Sequence, residues 1–145
     1  MSNHRARSLS RRLALQALYQ LQVNPRPWQD IYNQYAGDEE AERVDAQYFR
    51  ELFEAIAANR DSLDEVMKPF SEIAPHDLDP IEHAILWLGL HELEAQPELP
   101  YRVAISEAVE LTKRFGATDG HKFVNAVLDK AARQLRPQEY GQLAA

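Results

Sequence analysis

The chain has 145 residues, 45% of them hydrophobic and 27% charged, no cysteine, and a formal net charge of -7. That length supports one domain or two very small halves with a core, and the lack of cysteine excludes disulfides and thiolate zinc sites. No apolar run approaches the roughly 20 residues of a membrane span, so the expectation is a soluble, cytoplasmic protein.

The charge is divided along the chain. Residues 1–29 hold Arg5, Arg7, Arg11, Arg12 and Arg26 and no acid, a local charge of +5. The remainder carries 11 of the 16 bases against all 23 acids, or -12. A basic arm on an acidic body suits a local anionic ligand together with a separate partner that tolerates negative charge. The start also imitates a transit peptide or a secretory signal, but Gln16, Gln20 and Gln22 interrupt any apolar region and no small-residue cleavage site follows.

The spacing predicts a first helix over about 8–23, ended by Asn24 and Pro25. Its apolar face is Leu13, Ala14, Ala17, Leu18 and Leu21, and the opposite face reads Ser8, Arg12, Leu15 and Tyr19, with Arg11 and Gln16 on the margins. Guanidinium and phenol on one face suit phosphates and a stacked base. Leu15 and Tyr19 equally suit packing against a second layer, if this helix is buried on two sides. A short helix is expected over about 28–35, followed by a polar loop at 37–43. From Asp45, the series Phe49, Leu52, Phe53, Ile56, Leu63, Val66 and Met67 predicts a long or broken helix ending at Pro69.

Residues 69–79 hold two prolines and little periodicity and read as a linker between halves of about 1–68 and 80–137. Asp79 then marks a helix start, with Pro80 in the first turn and Glu82 placed for a capping box. This helix is apolar over most of its circumference, so it is expected to be buried on several sides. A further helix is expected over about 103–115, with Gly116 as its C-terminal cap.

Residues 116–133, GATDGHKFVNAVLDKAAR, combine a helix start, an aromatic beside a lysine and a strict apolar stripe. At about 100° per residue, Val124, Val127, Leu128, Ala131 and Leu135 share one arc, and Phe123 and Lys130 lie on its flank. A ring on such a shoulder faces neither core nor open water and asks for a partner. After Pro137 a loose polar tail is expected. No strand pattern or repeat emerges, so the predicted architecture is all-α, six or seven helices in two small three-helix bundles.

Catalytic and metal motifs are absent. His91-Glu92 opens like a zincin motif, but the second histidine position is Ala95, and His83 and His91 are too far apart to share one site. His83, His91 and His121 read as helix-surface or partly buried residues. Asp77 and Asp79 are followed by no calcium-loop glycine. GxGxxG, Walker and GxSxG patterns are missing too, so neither an enzyme nor a cofactor is expected.

The segments RRLALQALYQ at 11–20, DAQYFRELF at 45–53, VMKPF at 66–70, PYRVAISEAVELTKRFG at 100–116 and HKFVNAVLDKAA at 121–132 carry a resemblance. In order and spacing the chain resembles the NusB family of bacterial transcription antitermination factors over nearly its whole length. The resemblance implies an all-helical protein that binds the single-stranded boxA element of nascent ribosomal RNA with the ribosomal protein NusE, in an antitermination complex on RNA polymerase. It implies RNA contacts from Arg7, Arg11, Arg12 and Tyr19 and from Asp119, Lys122 and Phe123, with Phe70 and Glu82 toward NusE. Relative to the family pattern, Ser8, Leu9 and Ser10 dilute the arginine run, Arg12 stands where an acid is frequent, Gly120 replaces a serine and Ala126 a glycine. The alternative is a helical accessory or protein-interaction module, as at the N-terminus of ribosomal RNA methyltransferases, acting as a monomer or a homodimer. Salt dependence of RNA binding separates the two, because neutralised phosphates make binding fall steeply with salt.

Overall fold

A computed structural model of the chain describes residues 4–37 and 43–144. Among them are eight α-helices and no strand, in two compact units, Met1–Asn59 and Arg60–Ala145. The expected all-α class is found, with slightly more helices than the six or seven predicted.

In the first unit α1 (His4–Val23) packs against α2 (Trp28–Ala36) and α3 (Ala46–Ala58). The predicted stripe of Leu13, Ala14, Ala17, Leu18 and Leu21 is buried, and so is Leu15, so α1 is covered on more than one face. An aromatic ladder closes the unit: Tyr32 stacks on Phe49 at 5.6 Å, Phe49 on Phe53 at 6.1 Å, and Trp28 meets Phe53 edge-on at 6.2 Å. Asp45 caps α3, its carboxylate accepting from the Tyr48 N–H at 3.1 Å. The long or broken helix expected from Asp45 is broken at Asn59, whose side-chain amide donates to the Ala55 carbonyl at 2.7 Å and so competes with the next helical turn.

The second unit is arranged around α5 (Pro80–Ala95), which packs against α4 (Arg60–Met67), α6 (Tyr101–Phe115) and α7 (Gly120–Leu135). Residues 84–90 of α5 are all buried, as its apolar circumference predicts. Asp79 caps it through the Ile81 N–H at 2.6 Å, with Pro80 as first residue. Asp64 on α4 receives both the Trp87 indole N–H at 2.8 Å and His83 Nε2 at 2.6 Å, which fixes α4 on α5 and explains why His83 is partly buried. The expected linker contains two 3-10 turns, Lys68–Phe70 and Pro75–Asp77, and the first packs against α7.

The tail expected to be loose forms α8 (Pro137–Ala144) and is tied down. Arg136, just before it, donates to the carbonyls of Glu92, Leu93, Gln96 and Leu99 at 2.7–3.2 Å, capping the C-terminus of α5 with a cation. Glu139 accepts from the Tyr101 N–H at 2.8 Å and so caps the start of α6, two residues earlier than predicted. Tyr140 lies on Tyr101 with ring centroids 5.1 Å apart and donates to the Asp129 carboxylate. No described helix is long and apolar enough to cross a membrane.

Candidate nucleic-acid interface

The first set of candidate residues lies on α1. Ser10 is fully buried, and its hydroxyl accepts the Asp45 N–H and donates to the carbonyl of Ala6 or Asp45, each at 2.9 Å. What reads in sequence as a gap in the arginine run is therefore a fastening between α1 and the start of α3. That fastening brings Tyr48, one turn into α3, under two guanidinium groups: Arg7 at 4.5 Å from its ring centroid and Arg11 at 5.4 Å. The two arginines differ in access. Arg7 is half-buried, whereas Arg11 is 2% exposed and points an Nη at the Tyr48 hydroxyl at 3.5 Å. Arg12 and Tyr19 are half-buried. Tyr48 is the residue that sequence reading missed here; it stands in a quoted motif, but only its distant partners give it a role.

The second set sits at the start of α7. The chain leaves α6 at Gly116, whose N–H bonds the Thr112 carbonyl at 2.8 Å, and turns through residues 117–120, closed by the Gly120 N–H on the Ala117 carbonyl at 3.0 Å. Asp119 in this turn has φ of 66°, the left-handed region that few residues other than glycine occupy. Its carboxylate lies 3.5 Å from the Lys122 ammonium, and the two side chains are 68% and 73% exposed. Phe123, next along, is half-buried, and Val124, Val127, Leu128 and Ala131 are buried as the stripe predicts. The start of α7 therefore offers an exposed Asp119–Lys122 ion pair beside a half-buried ring. Ala126 is exposed, so its methyl group crowds nothing.

Phe70 and Glu82 were expected to face a partner. Phe70 ends the Lys68–Phe70 turn and is half-buried. Glu82 does not show the predicted reciprocal capping bond; its carboxylate lies against the Cα of Gly120. Partial burial raises its pKa, the neighbouring Asp79 raises it further, and the nearby Ala117 backbone offsets part of this. Among the described residues no cluster of three or more histidines and carboxylates is placed to hold a metal ion.

Comparison with known proteins follows the same outline. A family model described as the NusB family matches residues 8–133. The transcription antitermination protein NusB of Escherichia coli (strain K12) and that of Cronobacter sakazakii are each 44% identical to this chain over 134 residues, covering 92% of it and 96% of the relative. Among solved structures, Thermotoga NusB (T. maritima) superposes with a TM-score of 0.80 at 24% identity, covering 98% of this chain and 99% of that one. A NusB chain from a complex of antitermination factors NusB and NusE with dsRNA superposes with a TM-score of 0.79 at 20% identity, covering 91% and 99%. At those identities the superpositions establish the fold.

Proposed function

The chain belongs to the NusB family of transcription antitermination proteins, and from that premise we propose that it binds the single-stranded boxA element of nascent ribosomal RNA together with the ribosomal protein NusE. Its role is non-catalytic. In this reading Arg7, Arg12 and Tyr19 of the first unit meet the RNA, with Arg11 behind them holding Tyr48 against Arg7. Lys122 takes a phosphate, Phe123 stacks on a base, and Asp119 accepts from a base edge or a ribose hydroxyl. Phe70 and Glu82 face NusE, and the acidic remainder of the chain complements a basic ribosomal protein. The work is done in the cytoplasm, on the antitermination complex that rides with RNA polymerase.

The observation that carries this reading is the pairing of the open Lys122 ammonium with the half-buried Phe123 ring on one helical turn. Non-specific single-strand binders combine the same two elements, a cation for the backbone and a ring for the bases. Titration of a boxA-like RNA into the chain at several salt concentrations tests it. The expected result is a linear fall of log affinity with log salt, with a slope of about -0.7 per phosphate neutralised. Weak binding that ignores salt would instead favour the protein-interaction module.

A further inference from the structure

We infer that Lys130 is a further RNA-binding residue, holding a phosphate of the single strand beyond the base that stacks on Phe123, so that the strand runs along one flank of α7 over Ala126. The inference rests on the RNA-binding reading above and gives the direction in which the strand leaves that site.

Phe123 and Lys130 are two turns of α7 apart, so they lie within about 20° of one line along the helix and about 10 Å from each other. Ala126 stands between them, about 60° to one side of that line. It is exposed and carries only a methyl group, while Val127, on the other side of the line, is buried. A half-buried ring, a low methyl surface and an exposed ammonium therefore follow one another along the same flank. An extended strand can lie close against such a surface, with a base on the ring and the backbone at the ammonium.

The charge on Lys130 is also available. Each of the other three lysines is paired with an acid three residues before it: Lys68 with Glu65, Lys113 with Glu110 at 3.7 Å and Lys122 with Asp119 at 3.5 Å. Lys130 has Val127 at that position and Ala126 one residue further back, and among the described residues no carboxylate pairs with it. The adjacent Asp129 is turned to other partners, accepting from the Tyr140 hydroxyl at 3.1 Å and from the Arg133 Nη2 at 3.4 Å. A cation left open on an acidic body suits a phosphate, and it is unfavourable against a basic protein such as NusE.

The test uses the full chain, first without any partner, and a single-stranded boxA-like RNA titrated at several salt concentrations. Lys130→Gln is expected to weaken binding roughly 3- to 10-fold at low salt and to reduce the slope of log affinity against log salt by about 0.7, one phosphate contact. Lys113→Gln removes an equal charge from a lysine of α6 that is already paired, and it is expected to keep the slope. Ala126→Gln, which raises the methyl surface without changing charge, is expected to weaken binding too. Combined with it, Lys130→Gln should be nearly silent, because the strand no longer reaches the ammonium. Lys130→Gln with the slope of the unmodified chain, or with a loss no larger than that of Lys113→Gln, overturns the inference. So does a Lys130→Gln chain that binds RNA normally and loses only the gain from added NusE. If the unmodified chain binds this RNA with no salt dependence, it is the RNA-binding reading that fails.

Discussion

The Arg7 guanidinium lies 4.5 Å above the ring of Tyr48, and Arg11 packs on the same ring at 5.4 Å, so one aromatic residue of α3 carries two cations of α1. Equal in sequence, the two arginines are unequal in surroundings. Arg7→Ala is expected to leave stability nearly unchanged and to lower the slope of log affinity against log salt by about one phosphate contact. Arg11→Ala, removing a buried side chain, should cost roughly 1 to 3 kcal/mol of stability instead. Denaturant unfolding and RNA titration of both variants check this; Arg11→Ala with full stability and the larger loss of salt slope would reverse the assignment.

Phe123 is half-buried beside an exposed Lys122, a position from which a ring stacks on a base without leaving the helix. Phe123→Ala is expected to weaken single-stranded RNA binding by roughly 1 to 3 kcal/mol through lost stacking, with the fold retained. A large drop in melting temperature with normal RNA binding by the folded fraction would return Phe123 to the core.

The packing of α5 on α7 depends on a glycine. A Cβ at Gly89 would fall 2.7 and 2.9 Å from the two methyl carbons of Leu128, which is itself fully buried. Gly89→Ala is expected to destabilise the chain by about 1 to 2 kcal/mol, since overpacking outweighs the gain in helix propensity. Leu128→Val in the same chain should recover part of that loss. A Gly89→Ala chain as stable as the unmodified one in urea would show that the two helices separate at no cost.

His91 on α5 is largely buried, and burial holds its imidazole below the usual value of 6.5. The folded chain then binds fewer protons at this site than the unfolded chain in the window just below 6.5, so stability is lost as pH falls from there through the folded-state value. His91→Gln should flatten that part of the profile. Urea midpoints measured between about pH 5 and 7.5 test it; an identical slope in the variant would assign the pH dependence elsewhere.

The helices that sequence reading located best are those whose signals are local. Asp79 and Pro80 mark the start of α5 because cap and first turn are neighbours in the chain, and the stripe from Val124 to Ala131 needs only the helical repeat. The misjudged features depend on partners far along the chain. The tail after Pro137 is ordered by Glu139 on the Tyr101 N–H and by Tyr140 on the Tyr101 ring, 38 and 39 residues away, contacts that periodicity does not register. The burial of Arg11 turns on Tyr48, 37 residues distant, so a charge that reads as surface lies inside. Ser10 reads as filler until Asp45 is placed beside it. Glu82 had a sound local partner in its own helix cap and lies instead against Gly120, 38 residues away.

Joint binding of boxA RNA by this chain and NusE is read from the affinity of the full chain for a boxA-like RNA with and without NusE. Modest affinity alone and a gain of about tenfold or more with NusE are expected, within the usual range of coupling between two ligands. An RNA affinity unchanged by saturating NusE would contradict it.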